Sequence, residues 1–355
     1  MSTTSHYSWS DRLLHRLAFN SAGAQIAMAE METDLFTKRI PETMGPPVFI
    51  TSLPRAGTTL LLEVLAQSTE YATHTYRDMP FVLCPLLWDR LSAGSRKGVE
   101  LRERAHGDGM QVGFDSPEAF EEMLWLAFWK EKYKTDKIIN WAETDRNPDF
   151  EAFFIAHMRK IAALRGTHDG PRRYVSKNNA NIARLPLLRK IFPDCSIVVP
   201  LRRPSAQIAS LMRQHVRFQE MHAEDPFSLT YMTGIGHFEF GSALRPIDFP
   251  SKTKSDLVCT PAEANFWLSY WIDAYSAVAS RSDILIFDYD AACETSVPHV
   301  QALCAAIGAT FSERLQTAAE RFRQMPQASF PPEADQDLIE QADALHAELC
   351  ERALR

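Results

Sequence analysis

One short stretch of the chain has the residue types and spacing of an anion-binding loop. Residues 48–67 read VFITSLPRAGTTLLLEVLAQ: an apolar strand, a tight turn and an amphipathic helix, the order in which a phosphate-binding loop is built. A nucleoside-triphosphate loop reads G-x-x-x-x-G-K-[ST], where the lysine reaches the phosphates and the hydroxyl holds Mg²⁺. With Gly57 at the second glycine, Ser52 stands at the first and Thr58 at the lysine. The loop therefore lacks the parts for magnesium-dependent γ-phosphoryl transfer.

The same turn still predicts an anion cradle. Gly57 lets the backbone approach a ligand closely, and the amides of residues 56–59 open a helix whose dipole favours negative charge. Arg55 adds a cation, two threonines add hydroxyl donors, and a proline stiffens the turn. The predicted anion-binding residues of the turn are Pro54, Arg55, Ala56, Gly57, Thr58 and Thr59.

Cations also follow two further predicted strands. Arg202 comes directly after SIVVPL, and Ser210 lies eight residues later on the predicted helix PSAQIASLMRQHVRF. Both can therefore face one phosphate above the carboxyl edge of the sheet, where α/β folds bind ligands. Lys177 ends the strand in RYVSKN. Together Arg55, Lys177 and Arg202 predict a site for a ligand with two anionic ends.

The elements that must position these residues predict an α/β fold. Four apolar runs rich in β-formers stand out, and three of them are followed by helical patterns. That alternation is typical of a parallel sheet with crossover helices, so we expect a three-layer α/β protein with a P-loop-like turn and helical insertions. The runs are PVFITSL (47–53), RYVSKN (173–178), SIVVPL (196–201) and DILIFDY (283–289).

The segments around these runs predict additions to a single core. Within a core at 47–310, a helical lobe is expected to be inserted at about 75–170. A lid-like segment at about 219–260 is rich in aromatic residues, Gly and Pro and weak in periodicity, so an ordered loop region is expected there. Helical extensions are expected at 1–46 and at 311–355.

Two helix starts are predicted from capping signals. One helix is expected in the segment DSPEAFEEMLWLAFWKEKY, with Asp115 or Ser116 as its N-cap. A second helix is expected in TPAEANFWLSYWIDAYSAVAS, with Thr260 as its N-cap and Glu263 as the other half of a capping box. The aromatic residues of the second helix have the spacing of core packing, with an aromatic acceptor pocket as the alternative. They are Phe266, Trp267, Tyr270, Trp271 and Tyr275.

Composition narrows the class of protein. A chain of 355 residues with 45% hydrophobic content is long enough for one large α/β domain with insertions. The formal charge of −7 argues against non-specific nucleic-acid binding. Six cysteines without a C-x-x-C pair indicate reduced thiols rather than a zinc site or disulfides. Without a secretory apolar run at the start or a membrane span, a cytoplasmic protein is expected.

The motifs resemble those of the sulfotransferase family that uses 3′-phosphoadenosine 5′-phosphosulfate (PAPS), in the branch that includes bacterial enzymes and the tyrosylprotein sulfotransferases. LPRAGTTLL looks like the family's 5′-phosphosulfate loop, and VPLRRPSAQIASL looks like its 3′-phosphate motif. The segments SKNNANIARLPLLRKIFPDC and ILIFDYDAACETSVPHVQALCAAIG also resemble that family. The resemblance covers about 48–67 and 173–310.

This resemblance implies roles by position. Arg55, Thr58 and Thr59, with the amides of 55–59, would hold the 5′-phosphosulfate, and Arg202 with Ser210 would hold the 3′-phosphate. Lys177 matches the lysine that approaches the transferring sulfonate in the tyrosylprotein branch. The implied reaction is in-line transfer of a sulfonate from PAPS to a hydroxyl or amine, without a metal.

The general base is where the chain departs from the family pattern. The tyrosylprotein branch has a Glu about twenty residues beyond the loop, but the corresponding segment here, THTYRDMPFVL, contains none. Asp78 is the residue most similar to that Glu in side-chain type and position, so it is the first candidate for the general base. His215 and His74 are the alternatives.

The acceptor has no motif of its own, and a small molecule, a glycan or a peptide would each fit the reaction. Aromatic residues outside the motifs point to an apolar or aromatic acceptor, although cores are aromatic too. These aromatic residues are Phe114, Trp125, Phe128, Trp129, Phe238 and Phe240.

Two other functions are alternatives to sulfonate transfer. One is a P-loop kinase or NTPase in which Asp288 or Asp290 binds the metal, and the other is a non-catalytic nucleotide-binding protein of the same fold.

Overall fold

A computed structural model describes residues 9–95, 102–103, 111–165, 172–251, 259–323 and 328–355. The strands in this part of the chain are β1 (Gly45–Ile50), β2 (Tyr71–Ala72), β3 (Arg102–Glu103), β4 (Gln111–Val112), β5 (Ile138–Ile139), β6 (Arg173–Lys177), β7 (Ser196–Leu201), β8 (Ile247–Asp248) and β9 (Leu285–Asp288).

Helices surround these strands. They are α1 (Trp9–Asn20), α2 (Ala22–Leu35), α3 (Thr58–Leu65), α4 (Pro85–Ser92), α5 (Glu122–Phe128), α6 (Pro148–Arg165), α7 (Leu185–Ile191), α8 (Pro204–Glu224), α9 (Pro226–Gly234), α10 (Ala264–Ala279), α11 (Tyr289–Glu294), α12 (Ser296–Ala306), α13 (Glu313–Ala319) and α14 (Gln336–Glu351).

The centre of the molecule is a parallel sheet with the strand order β2-β6-β1-β7-β9. Ile50 at the end of β1 is paired with Lys177 on β6 and with Val198 on β7, so the carboxyl ends of these strands meet at one edge. The α/β prediction and its four strands are confirmed. The fifth strand, β2, was not predicted, because a strand of two residues is too short to show a periodicity in the sequence.

Both faces of the sheet are apolar. On β1, Phe49 packs on one side with Phe154 and Phe192, while Val48 and Ile50 belong to a second core on the other side. Helices cover both faces, which explains why the strands read as continuous apolar runs rather than alternating ones.

Two expectations about helix starts were wrong. The helix expected from Asp115 or Ser116 starts at Glu122, because Asp115 instead forms an ion pair with Arg77. The helix expected from Thr260 starts at Ala264, and the Thr260 backbone amide and hydroxyl donate to Glu263 in a turn that precedes it.

The segment at about 219–260, which was expected to be an ordered loop region or a lid, is helical in its first part. Helix α8 continues to Glu224, and α9 occupies Pro226–Gly234 before the irregular part begins. Residues 252–258 of this segment lie outside the described residues.

The C-terminal part of the chain lies beside the core. Helix α14 packs against α10 with Leu338, Ala342 and Leu349 buried. Beyond it, the Leu354 amide donates to the Ile286 carbonyl at 2.9 Å, so the last residues pair with the outer strand β9. Within the described ranges, no helix is long and apolar enough to cross a membrane.

Candidate active site

The turn between β1 and α3 has the backbone shape of an anion-binding loop. Arg55 and Gly57 both have left-handed backbone angles, with φ of 69° and 89°. Left-handed residues let successive amides face a single anion. Gly57 is the N-cap of α3 and has no side chain that could cap the helix. The amide groups at the start of a helix favour a bound anion.

Gly57 is required here for space as well as for its backbone angle. A Cβ atom at this position would lie 2.2 Å from the ring of Tyr289. Tyr289 follows β9, so the glycine allows the loop and the end of that strand to pack closely.

The turn contacts the second predicted set of residues directly. The Arg55 Nε atom donates to the Ser210 hydroxyl at 3.0 Å, and the Arg202 Nη1 atom donates to the Arg55 carbonyl at 2.9 Å. Residues from the turn, from the end of β7 and from α8 therefore lie in one cluster, which we call the arginine cluster (Arg55, Arg202 and Ser210). This is the proximity that the sequence predicted.

Arg202 is a buried cation with unused hydrogen-bonding capacity. Its side chain is 9% exposed, and its Nε atom has no hydrogen-bond partner among the described residues. Burial lowers the pKa of Arg202, and the neighbouring Arg55 acts in the same direction, while Tyr289 and Asp290 oppose the shift. Because a buried, unsatisfied guanidinium donor is costly, this arrangement fits a bound phosphate.

Residues that the sequence did not single out hold the turn in place. The Gln207 amide donates to the carbonyls of Leu53 and Pro54 at 3.2 and 2.9 Å, and its oxygen accepts from Trp271 and Tyr275. Gln207 is fully buried on α8. The sequence could not predict this role, because a single Gln within an amphipathic helix looks the same whether its side chain binds a turn or faces solvent.

The end of β6 meets the start of α3. The Thr58 hydroxyl donates to the Asn179 side-chain oxygen at 3.1 Å, and the Asn179 amide donates to Glu239 at 2.6 Å. Thr58 thus uses its hydroxyl proton within the protein. Lys177 is half-buried on β6, and its ammonium group makes no hydrogen bond or ion pair with any residue that the structure describes.

Residues 46–237, which include the turn, β6, β7 and α8, match a family model described as "Sulfotransferase family". The matched segment is more than half of the 355-residue chain. The chain belongs to the sulfotransferase family.

Two solved mycobacterial structures are similar to this sulfotransferase over most of its length. Sulfotransferase STF1 from Mycobacterium tuberculosis H37Rv is 13% identical, with 94% of this chain and 84% of that chain covered and a TM-score of 0.48. Sulfotransferase STF9 from Mycobacterium avium is 12% identical, with 98% and 86% covered and a TM-score of 0.45. No curated protein matches the chain.

Asp78, the first candidate for the general base of this sulfotransferase, is buried in an ionic network. Arg165 donates to it at 2.5 Å, the Thr75 amide donates at 2.9 Å, and His74 Nδ1 lies 3.3 Å away. Burial raises the pKa of Asp78, but His74 and Arg165 outweigh this and hold it below its ordinary value. These contacts hold Asp78 against its own turn and against the end of α6, and its role as a base stays a prediction.

The two histidine candidates also have partners inside the protein. His74 Nε2 lies 3.2 Å from His157 Nε2. His215 Nδ1 accepts from the Gly241 amide at 3.1 Å, and burial lowers its pKa. Each histidine therefore stabilises a turn or a helix contact, and neither assignment as a base is tested by these contacts.

The aspartates considered for a kinase-type metal site have structural partners. Asp288 caps α11 by accepting from the Ala291 amide at 2.9 Å. Asp290 accepts from the Arg203 amide at 2.6 Å and so fixes the start of α8 against α11.

The aromatic residues that were considered for an acceptor site differ in their distance from the anion-binding turn. Trp125 and Trp129 are buried in the core around Phe150, and Phe128 packs at its edge, while Phe114 is 49% exposed. Phe238, by contrast, lines a cavity beside the anion-binding turn. Trp267 and Tyr270 of α10 line the same cavity and also belong to the core or pack against it. Core packing is thus observed for this helix, and an acceptor pocket stays a prediction.

Proposed function

We propose that this sulfotransferase takes a sulfonate from PAPS and transfers it in line to a hydroxyl or amine. The observation that carries the proposal is the arginine cluster, in which Arg55 and Ser210 are hydrogen-bonded and Arg202 keeps a buried donor without a partner among the described residues. When bound, PAPS supplies an activated sulfonate. Its second anionic group, the 3′-phosphate, would bind to Arg202.

The arginine cluster and the turn would hold the two ends of the nucleotide. Arg202 and Ser210 are assigned to the 3′-phosphate, since Arg202 combines burial with an unused donor. The 5′ end is assigned to Arg55, Thr58 and Thr59 with the amides of the turn, because these amides begin α3 and no side chain of Gly57 caps them. The Thr58 contribution is then its amide, as its hydroxyl donates to Asn179.

Lys177 is assigned to the transferring group. In sulfonyl transfer, negative charge grows on the oxygen between sulfur and the leaving phosphate, and a fixed cation beside it lowers the barrier. Lys177 lies next to Ile50 in the sheet, where β1 leads into the turn, and no described residue forms a hydrogen bond or ion pair with its ammonium group. Positioning by rigid strand ends supplies the orientation that in-line attack requires.

Calorimetry with three nucleotides tests this proposal. The probes are 3′-phosphoadenosine 5′-phosphate (PAP), adenosine 5′-phosphate, and ATP with Mg²⁺. We expect PAP to bind about 10- to 100-fold more tightly than adenosine 5′-phosphate, since hydrogen bonds to a charged group contribute about 1.5–3 kcal/mol. Preferential binding of ATP with Mg²⁺ would instead favour a kinase or NTPase, and equal affinity for PAP and adenosine 5′-phosphate would contradict the 3′-phosphate site.

A further inference from the structure

A cavity lies next to the anion-binding turn. Its wall includes Leu53 and Pro54 from the turn and residues 178–180 from the segment after β6. Three aromatic residues, Phe238, Trp267 and Tyr270, form an aromatic part of the same wall. Its volume is about 50 Å³, enough for the reacting end of an acceptor but not for a whole substrate. The cavity therefore adjoins the place where the sulfonate is expected.

Glu239 is the only acidic residue among the described residues that line this cavity. One carboxylate oxygen accepts from the Asn179 amide at 2.6 Å, and the other lies 3.0 Å from His237 Nε2. Asn179 is in turn bonded to Thr58 at the start of α3. The carboxylate is thus fixed relative to the anion-binding turn by one intervening side chain.

The charges and hydrogen-bond donors around Glu239 favour its ionised form. Burial raises the pKa of its carboxyl group, but His237, Lys177 and the Asn179 hydrogen bond outweigh this and bring the pKa to about 2. A carboxylate has about four lone-pair positions, so after these two contacts it still has room to accept a hydrogen bond. The electrostatic interaction with Lys177 places negative charge near the cation that is assigned to the sulfonate.

We propose that this cavity binds the reacting end of the acceptor, a hydroxyl group on an aromatic or apolar framework, and that Glu239 receives its proton. The inference rests on the proposed function, because it needs a sulfonate held at the turn. The aromatic wall selects the framework, and the carboxylate selects a group that carries a hydrogen to donate.

The step balances without any further reactant. The acceptor oxygen forms a bond to sulfur, while the bond from sulfur to the bridging phosphate oxygen breaks and leaves its electron pair on the phosphate of PAP. The hydroxyl proton passes to a Glu239 oxygen and from there to solvent. The carboxylate can take this proton although it is a weak base, because the hydroxyl group becomes strongly acidic as its oxygen bonds to sulfur.

The other candidates for this role lie elsewhere. Asp78 and His215 are absent from the described lining of the cavity, and both are committed to the contacts given above. Glu239 was not found from the sequence because it lies far along the chain from the turn, in a segment of weak periodicity.

The test uses the full chain and four variants: Glu239→Gln, Glu239→Ala, Asp78→Asn and Glu151→Gln. Glu151 is the matched control, since it is an ion-paired glutamate on α6 outside the cavity lining. Transfer from PAPS labelled with sulfur-35 to 2-naphthol, an aromatic hydroxyl, and to water is measured, and PAP affinity is measured by calorimetry.

We expect Glu239→Gln to slow transfer to 2-naphthol by about 100-fold or more, with PAP affinity within about twofold of the wild type. Formate should restore part of the lost rate in Glu239→Ala, which a purely structural role would not allow. Glu151→Gln should behave as the wild type.

Three results would overturn the inference: an unchanged rate in Glu239→Gln, a loss of rate confined to Asp78→Asn, or a wild type that binds PAP and transfers nothing to 2-naphthol. A wild type that does not bind PAP would instead overturn the proposed function itself.

Discussion

The Nε atom of Arg55 lies 3.0 Å from the hydroxyl oxygen of Ser210, although 155 positions separate the two residues in the chain. This hydrogen bond joins the turn after β1 to the helix after β7, two connections that begin at neighbouring strands of the sheet. It places the residues assigned to the two ends of the nucleotide in a single cluster.

Arg202 should contribute to nucleotide affinity far more than its neighbour Arg203. Arg202→Ala removes a buried guanidinium with an unused donor, so we expect PAP to bind about 10- to 100-fold more weakly by calorimetry. Arg203→Ala is the control, because its side chain is exposed and its contact with Asp290 is made by the backbone. Equal losses in the two variants would contradict the assignment.

Lys177 should affect the rate of transfer rather than the affinity for nucleotide. Removal of one fixed cation beside a developing charge costs about 100-fold or more in rate, so Lys177→Ala should slow release of labelled product from PAPS while PAP affinity changes little. Lys190→Ala, at an exposed position in the last turn of α7, serves as the control. A parallel loss of rate and affinity in Lys177→Ala would argue against separate roles.

Gly57→Ala should disable the turn through both backbone strain and a clash. The left-handed angle costs a residue with a Cβ atom about 1 kcal/mol, and the new Cβ would lie 2.2 Å from the Tyr289 ring. Gly308→Ala separates the two effects, since Gly308 has φ of 63° and a Cβ atom added there would meet nothing within 4 Å among the described residues. We expect both variants to lower the melting temperature and only Gly57→Ala to lose PAP binding. Retention of full affinity in Gly57→Ala would show that the close packing is not needed.

His157 should make the fold less stable in mild acid. Burial, together with His74 and Lys160, holds the pKa of His157 well below its ordinary value. The unfolded chain therefore binds a proton at about pH 6.5 that the folded protein does not, so the free energy of unfolding should fall by up to about 1.4 kcal/mol for each pH unit below this value.

Urea unfolding between pH 7 and pH 5 measures this effect. His157→Gln keeps a polar group next to His74 and should flatten the pH dependence, while His299→Gln, on α12, should keep it. An identical slope in all three proteins would place the acid sensitivity at other groups.

Much of the scaffold was predictable because its signals are local. The runs at 173–178 and 196–201 contain β6 and β7 within one residue, since each is a short apolar segment between turn signals. The capping signals at Asp115 and Thr260 were misleading for different reasons. The Asp115 side chain forms an ion pair with Arg77, whereas the predicted contact between Thr260 and Glu263 is present but closes a turn before the helix. A residue distant in the chain therefore decided the contact of Asp115, and a local turn decided that of Thr260.

The sequence by itself predicted an anion-binding turn after the first strand, since a glycine, a helix start and a cation within six residues act through the local backbone. It also predicted that Arg202 and Ser210 lie close to this turn, because strand ends in a parallel sheet meet at one edge. Three features became apparent only in the tertiary structure: Gln207 donates hydrogen bonds to the turn, Asp78 forms an ion pair with Arg165, and Glu239 lines the cavity. The physical reason is that these three depend on side-chain contacts between residues far apart in the chain, which no spacing or periodicity records.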